Sequence, residues 1–128
     1  MVSDRVGPPL LRRLLGSRRA AVRVGTRNGQ VVGYYVLRRP VLSRCAWLYS
    51  LAVAAHMRGR GIGQRLLQDA EAVARAGGRR GVRLEVRQDN ATALALYEAA
   101  GYRRSRHLPR HYQDGADGWR YVRTWDQP

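Results

Sequence analysis

Apolar and polar residues follow the pattern of β-strands along the first part of the chain. The segments Ala20 to Thr26 and Val31 to Leu37 are rich in Val and Tyr, which favour extended structure. Between them lies Arg27-Asn28-Gly29, and its Asn-Gly pair is a strong signal for a hairpin turn. Pro40 ends the second strand, and the apolar run Trp47 to Val53 has the length of a buried strand. The pattern therefore predicts a hairpin followed by a central strand.

The period of the pattern lengthens to that of a helix after the central strand. Apolar positions recur at helical spacing up to the stop signal Gly77-Gly78, namely Ile62, Leu66, Leu67, Ala70, Val73 and Ala74. A further strand is predicted where Val82, Leu84 and Val86 alternate with Arg83, Glu85 and Arg87. Asp89 or Asn90 then caps a second helix, which ends at Gly101.

The two ends of the chain supply the remaining elements. Pro8 to Gly16 is predicted to be a short helix with Pro in its first turn, and Tyr102 to Arg106 and Trp119 to Trp125 are the last two strands. Strands and helices thus alternate in the middle of the chain, with hairpins at either end. This order predicts a three-layer α/β architecture with a mixed sheet. Because there is neither a repeat nor an interdomain linker, residues 1–128 are predicted to form a single domain.

A basic glycine-rich loop, Arg58 to Gln64, joins the central strand to the first long helix. The first N–H groups of a helix have no intrahelical partner and lie at the positive end of its dipole, so this loop is a candidate phosphate site. An ATP-binding loop is excluded because the chain contains no lysine, and a dinucleotide fingerprint is excluded because Leu66 stands where its third glycine belongs. The remaining pattern is R-x-x-G-x-G, formed by Arg58, Gly61 and Gly63. A glycine-rich turn without a ligand is the simpler alternative.

Composition adds a strong positive charge to this picture. Twenty-four arginines face nine acidic residues, which gives a net charge of +15. Such a field attracts coenzyme A, nucleic acid, an acidic peptide or a ribosomal surface without selecting among them. The arginines are scattered from Arg5 to Arg123, so a compositional bias with solvated faces is an equally simple interpretation.

Other chemistries receive little support. Cys45 has no partner for an internal disulfide, and no carboxylate or thiol cluster joins His107 and His111, so no metal site is predicted. The longest apolar runs, such as Leu51 to Ala55, are too short to span a bilayer, and the first nine residues do not resemble a secretory signal. A cytoplasmic protein without membrane association is therefore predicted.

The Arg58, Gly61 and Gly63 loop resembles the acetyl-CoA pyrophosphate loop of the GNAT superfamily of N-acetyltransferases. The segment LEVRQDNATALALYEAAGYRR, Leu84 to Arg104, extends this resemblance to the RimI-like branch, which acetylates the N-terminal alanine of ribosomal proteins. The tail LPRHYQDGAD is similar to the (Y)Y-x-D-G-E-D segment of protein N-terminal acetyltransferases, with Ala116 where a Glu is usual. The resemblance covers roughly residues 20–125. It implies a GNAT-type αβα fold with a mixed, mostly antiparallel sheet, and acetyl-CoA as the cofactor.

The resemblance also implies roles for individual residues. Glu85 would be the base that takes the proton of the acceptor amine, and backbone N–H groups near Val53 would hold the oxyanion. Tyr97 would be the proton donor for the departing sulfur, either by full transfer or by a hydrogen bond alone. The implied cofactor-binding residues are Leu51, Ala52, Val53, Arg58, Gly59, Arg60, Gly61, Ile62, Gly63, Gln64, Asn90 and Tyr97. Asn90 and Tyr97 are two helical turns apart, about 10 Å along one face, so both can line one groove. Simpler alternatives are a helix cap for Asn90, a core aromatic for Tyr97 and an arginine partner for Glu85.

The start of the chain is shorter than in the resembled family. Members have a first strand and a helix before the element that matches Pro8 to Gly16, whereas seven residues precede it here. We expect one of three consequences: an open acceptor cleft, a second subunit that fills the gap in a homodimer, or a shortened chain.

The sequence as a whole predicts an acetyl-CoA-dependent N-acetyltransferase that acts on a protein N-terminal α-amine by direct transfer. Alternatives within the enzymes are acetyltransferases for a small amine or a lysine side chain. The alternative from another class is a basic module that binds nucleic acid or the ribosome without catalysis. Glu85, Asn90 and Tyr97 at the family's spacing favour the enzyme.

Overall fold

The computed structural model describes residues 2–4 and 20–125, which form one sheet covered by helices. The strands are β1 Val2–Asp4, β2 Ala20–Arg27, β3 Gln30–Arg38, β4 Cys45–Val53, β5 Gly81–Arg87, β6 Arg103–Leu108 and β7 Gly118–Thr124. The helices are α1 Ile62–Ala76 and α2 Ala91–Ala99, with a 3₁₀ turn at Ala55–Met57. The strand order is β1-β2-β3-β4-β5-β7-β6, and β4 and β5 are the parallel pair in this otherwise antiparallel sheet. The predicted mixed, mostly antiparallel sheet is therefore confirmed.

The predicted hairpin between β2 and β3 has the expected turn. Asn28 and Gly29 both have positive φ angles, 52° and 80°, as a two-residue turn of the primed type requires. The turn places Arg27 opposite Gln30, and an irregularity between Gly25 and Thr26 then shifts the register by one residue, so that Val22 pairs with Val36.

The core lies between one face of the sheet and the two helices. Leu66, Leu67, Ala70 and Ala74 project from α1 and are almost fully buried, as the helical spacing predicted. They belong to one cluster with strand residues of β3, β4 and β5 and with Tyr97 of α2. Both described helices therefore cover the same face. The helix predicted over Pro8 to Gly16 lies outside the described residues.

The edge of the sheet differs from the expectation for the start of the chain. Val2–Asp4 forms the short strand β1, which pairs antiparallel with β2 through Val2↔Gly25 and Asp4↔Arg23. The expected lack of a first strand is therefore wrong. Three residues are too few to show an alternation of apolar and polar positions. The strand β1 is therefore recognised from its pairing with β2 and not from its own sequence.

The parallel pair β4–β5 is open over half its length. Its register runs from Cys45↔Gly81 to Leu48↔Leu84, although β4 continues to Val53. The register of β4 against β3 shifts at this point, because Leu48 faces Leu37 and Ser50 faces Val36, which leaves Tyr49 as a bulge. A bulge bends its strand away from the neighbour. The predicted splay of the central strand is therefore present, and it opens the sheet next to the start of α1.

None of the helices in the described part of the chain is long and apolar enough to cross a membrane.

Candidate active site

A cavity of about 410 Å³ lies where the opened β4 meets the starts of α1 and α2. Its wall contains every residue predicted to bind the cofactor except Arg60, together with four that the sequence interpretation did not include: Met57, Thr92, Ala93 and Leu96. Arg60 lines a separate cavity of about 250 Å³ beside Arg27 and Arg65. Met57, Thr92 and Leu96 lie one or two positions from predicted residues. Ala93 lies about one helical turn from both Asn90 and Tyr97 on α2, so helical spacing would have predicted it as well.

The loop before α1 has the conformation of an anion-binding turn. Gly59 and Gly61 adopt φ angles of 78° and 76°, which side chains other than glycine rarely accept. Gly61 is the N-cap of α1 and provides no side-chain acceptor, and the first turn contains no acidic residue. The initial N–H groups of α1 are therefore available to a ligand on the cavity side, where the helix dipole favours negative charge.

Gly63 lies where the cavity is narrow. A Cβ atom at this position would lie 3.5 Å from a methyl carbon of Leu96 and 3.7 Å from one of Val53. A single methyl group would just fit, whereas a branched side chain would occupy the passage between β4 and α2. The glycine thus keeps open a slot suited to a thin, extended chain such as pantetheine.

The wall formed by β4 directs backbone donors into the opening. The N–H of Ala54 donates to the carbonyl of Val32 on β3, at 2.8 Å. Because consecutive N–H groups of a strand point to opposite sides, the N–H of Val53 is directed away from β3, towards the opening left by β5. The predicted oxyanion donor near Val53 therefore has suitable geometry, although its role stays a prediction.

Asn90 is both a helix cap and part of the cavity wall. Its Oδ1 accepts from the N–H of Ala93 at 3.2 Å, as the capping alternative requires. The side chain also lines the cavity, and its amide N–H₂ group can still donate to a ligand. Capping and cofactor binding are therefore compatible roles for this residue.

Tyr97 lies where two cavities meet. The ring is buried against Tyr102, with ring centroids 5.8 Å apart, and the hydroxyl has no hydrogen-bond partner among residues 20–125. Burial, with a smaller contribution from Tyr112, raises the pKa of Tyr97 to about 12. Full proton transfer to a thiolate of pKa ~8.5 would therefore be uphill by roughly 5 kcal/mol. The raised pKa favours hydrogen-bond donation to sulfur over complete proton transfer.

Tyr97→Phe is expected to lower kcat about tenfold, because one hydrogen bond to the leaving sulfur is worth ~1–2 kcal/mol. The KM for acetyl-CoA should change little, since the ring remains in place. Steady-state kinetics would measure both constants. Tyr34→Phe removes a similar hydroxyl from β3, outside the cavities described, and should leave kcat unchanged. Equal values for the wild type and Tyr97→Phe would exclude this role.

Glu85 lies on the other side of the opening, in a cavity of about 210 Å³ that also includes Asn90 and Tyr97. One carboxylate oxygen is 2.7 Å from His111 Nε2 and the other accepts from Arg120 Nη2 at 2.9 Å. Burial alone would raise the pKa of Glu85, but the hydrogen bonds and charges of Arg120 and His111 outweigh it and hold the pKa below its ordinary value. The residue therefore has the predicted arginine partner and also borders the opening.

Three neighbours of Glu85 were missed from the sequence: Arg120, His111 and Tyr112. Arg120 is the cross-strand partner of Glu85 in the β5–β7 register. The other two lie in the β6–β7 loop, which Arg87 anchors through an ion pair of 2.8 Å with Asp114. The similarity of the LPRHYQDGAD tail to a segment of protein N-terminal acetyltransferases was the available signal for these two residues. Although His107 and His111 are four residues apart, they pair with different carboxylates and so do not form a joint site.

A sheet that opens beside a glycine-rich helix start, with an ionised carboxylate across the opening, suits the transfer of a group from a donor that carries phosphates. The model of the Acetyltransferase (GNAT) family matches residues 6–102, and the chain belongs to this family. GNAT acetyltransferases use acetyl-CoA as the acetyl donor, and the cavity, the glycine-rich loop and the slot at Gly63 fit this ligand.

Named relatives refine the comparison. The chain is 39% identical over 111 residues to the N-alpha-acetyltransferase RimI of Mycobacterium tuberculosis, covering 82% of this chain and 67% of that protein. It is 30% identical over 98 residues to N-alpha-acetyltransferase 30 of Schizosaccharomyces pombe, covering 74% and 65%. The ribosomal-protein-S18-alanine N-acetyltransferase of Escherichia coli shares the fold, with a TM-score of 0.84, 21% identity and coverage of 100% and 95%. The chain spans about two thirds or less of the length of the curated relatives it matches.

Proposed function

We propose that this protein transfers the acetyl group of acetyl-CoA to the α-amino group of a protein N-terminus. The observation that carries the proposal is the pair of cavities that meet at the β4–β5 opening, with a phosphate loop beside one and an ionised carboxylate beside the other. Donor and acceptor could thus approach each other through the sheet. The two relatives named as N-alpha-acetyltransferases support the α-amine as the acceptor class.

The donor side would be organised by backbone groups. The first N–H groups of α1 would bind the pyrophosphate, and the Asn90 amide would bind an amide of the pantetheine arm. The thioester of acetyl-CoA supplies an activated acetyl group. The Val53 N–H would stabilise negative charge that develops on the carbonyl oxygen, and Tyr97 would donate to the sulfur.

The acceptor side would be organised by side chains. Glu85 lies across the opening from the donor cavity, and Tyr49 and Tyr112 border the same small cavity. Tyr49 is an exposed aromatic residue at the bulge, and an exposed ring at a cavity mouth suits contact with a peptide. An N-terminal amine has a pKa near ~8, so a modest proton acceptor near Glu85 is sufficient at neutral pH.

Partners and location belong to the same proposal. We include a ribosomal protein beginning with alanine among the acceptors, given the similarity to RimI, and a cytoplasmic location. We also include a homodimer among the possible assemblies, which the oligomeric state in solution would test. The charge of +15 would speed encounter with acetyl-CoA and with acidic or ribosomal surfaces.

Incubation with acetyl-CoA and a panel of peptides tests the function by mass spectrometry. We expect a mass increase of one acetyl group on peptides with free N-termini, including one that begins with alanine. The matched control is the same peptide with a blocked N-terminus and an internal lysine. Acetylation of that lysine or of a small amine alone would contradict the proposed acceptor. If no amine is acetylated and RNA binds at submicromolar affinity in ~150 mM salt without competing with acetyl-CoA, a nucleic-acid-binding module is the better description.

A further inference from the structure

The imidazole of His111 is placed against Glu85 by the fold of the β6–β7 loop. Arg110, the preceding residue, has a φ angle of 51°, which is unusual for a residue with a side chain. Its N–H donates to Asp117 Oδ1 at 3.0 Å, and the N–H of Tyr112 donates to the carbonyl of Ala116 at 3.2 Å. Two hydrogen bonds therefore hold the strained turn on which His111 is carried.

Glu85 is poorly suited to keep a proton by itself. Arg120 donates to one oxygen at 2.9 Å, and the side chains of both residues are about four-fifths buried. Protonation of this carboxylate would leave the arginine with a weakened partner away from water, which is costly. Glu85 thus remains a carboxylate through the reaction, and its second oxygen accepts from His111.

The hydrogen bond to Glu85 also fixes which nitrogen of His111 is free. Nε2 lies 2.7 Å from the carboxylate and therefore donates to it. Nδ1 makes no hydrogen bond within residues 20–125, so it carries an available lone pair. The ring lies edge-on to Tyr112, with centroids 5.0 Å apart, and both Tyr112 and Glu85 line the acceptor cavity. His111 thus contacts two residues of that cavity wall and is itself partly exposed to solvent.

We propose that His111, held by Glu85, is the group that accepts the proton of the incoming amine. The inference rests on the proposed function and assigns the base within it. One N–H bond of the acceptor ammonium breaks, and its proton binds to Nδ1 of His111. The electron pair stays on the amine nitrogen, which becomes the nucleophile, and the imidazolium later releases the proton to solvent. Glu85 stabilises the imidazolium and stays ionised throughout.

The charged and titratable surroundings suit this role. The groups near the imidazole are Glu85 on β5, Arg120 on β7, and Arg110 and Tyr112 on the loop, with Arg87 placed over the Tyr112 ring. The Glu85 carboxylate is placed to stabilise an imidazolium once it forms, and imidazole is the side chain most often used as a general base.

His111→Gln tests the proposal because glutamine can still donate a hydrogen bond to Glu85 but cannot take up a proton. We expect kcat/KM for an N-terminal peptide to fall roughly 10²-fold at pH 7. The deficit should shrink as the pH rises and the amine loses its proton by itself. Acetyl-CoA affinity, measured by calorimetry, should be unchanged. For His111→Ala, added imidazole should restore part of the activity.

His107→Gln is the matched control, because His107 also pairs with a carboxylate, Asp117 at 2.9 Å, but Asp117 is not part of the acceptor-cavity lining, whereas Glu85 is. It should behave as the wild type. A His111→Gln enzyme with wild-type kcat/KM at every pH would overturn the proposal. So would a deficit that neither shrinks with pH nor responds to imidazole, since that pattern indicates a positioning role alone. Failure of the proposed function would instead appear in the wild type, as absence of N-terminal acetylation.

Discussion

Gly61→Val is expected to abolish acetyl-CoA binding. Gly61 has a φ angle of 76°, and a β-branched residue strains the backbone there by roughly 1–3 kcal/mol. The loop should therefore rearrange, so that its N–H groups no longer point towards the same ligand position. Gly63→Val should act differently, by filling the slot between Val53 and Leu96. An isothermal titration should detect no binding by either variant.

Gly78→Val is the matched control for backbone strain. Gly78 has a φ angle of 77° and open space around its Cβ position, like Gly61, but it lies at the other end of α1. This variant should lose some thermal stability and keep its affinity for acetyl-CoA. Unchanged affinity in the Gly61 and Gly63 variants would remove the loop from the binding site. Equal losses in all three variants would mean that strain in α1, not the loop itself, affects binding.

Glu85→Gln is expected to lower kcat/KM at neutral pH by roughly 10²- to 10⁴-fold. The amide keeps the size of the side chain but removes the charge that Arg120 and His111 both contact. The imidazolium would lose its stabilising partner, and Arg120 would lose its counter-charge. Glu85, His111 and Arg120 do not belong to the lining of the cavity proposed for acetyl-CoA. The affinity for acetyl-CoA should therefore be nearly retained.

The loss of kcat/KM in Glu85→Gln is expected to decrease as the pH rises. The pKa of Glu85 is held below its ordinary value, so the carboxylate is ionised across pH 6 to 9 and cannot itself cause a change of rate in that range. The deficit of Glu85→Gln should be largest at pH 6 and smallest at pH 9, where the amine is already neutral. Glu98→Gln is the control, since Glu98 also accepts from an arginine and lies outside the described cavities. A Glu85→Gln enzyme without any deficit would reduce the residue to a structural partner of Arg120.

Local sequence features determined the donor half of the site. The positive φ angles at Gly59 and Gly61, the apolar stripe of α1 and the Asn90 cap each depend on residues within a few positions along the chain. Such interactions are encoded by residue type and spacing, which is why the β4–α1 loop and its anion-binding character could be predicted. The hairpin at Asn28-Gly29 was predictable for the same reason.

The acceptor half was decided by the tertiary structure. Glu85 meets His111 and Arg120 across 26 and 35 residues, through the β5–β7 register and a strained turn at Arg110. The opening itself depends on where the bulge at Tyr49 falls against β3. Register and bulge position follow from the packing of whole strands, and a one-residue shift would turn Arg120 to the other face of the sheet. The sequence therefore determined a candidate phosphate loop and a candidate catalytic carboxylate, and the long-range pairing decided that this carboxylate has an imidazole and a guanidinium as partners.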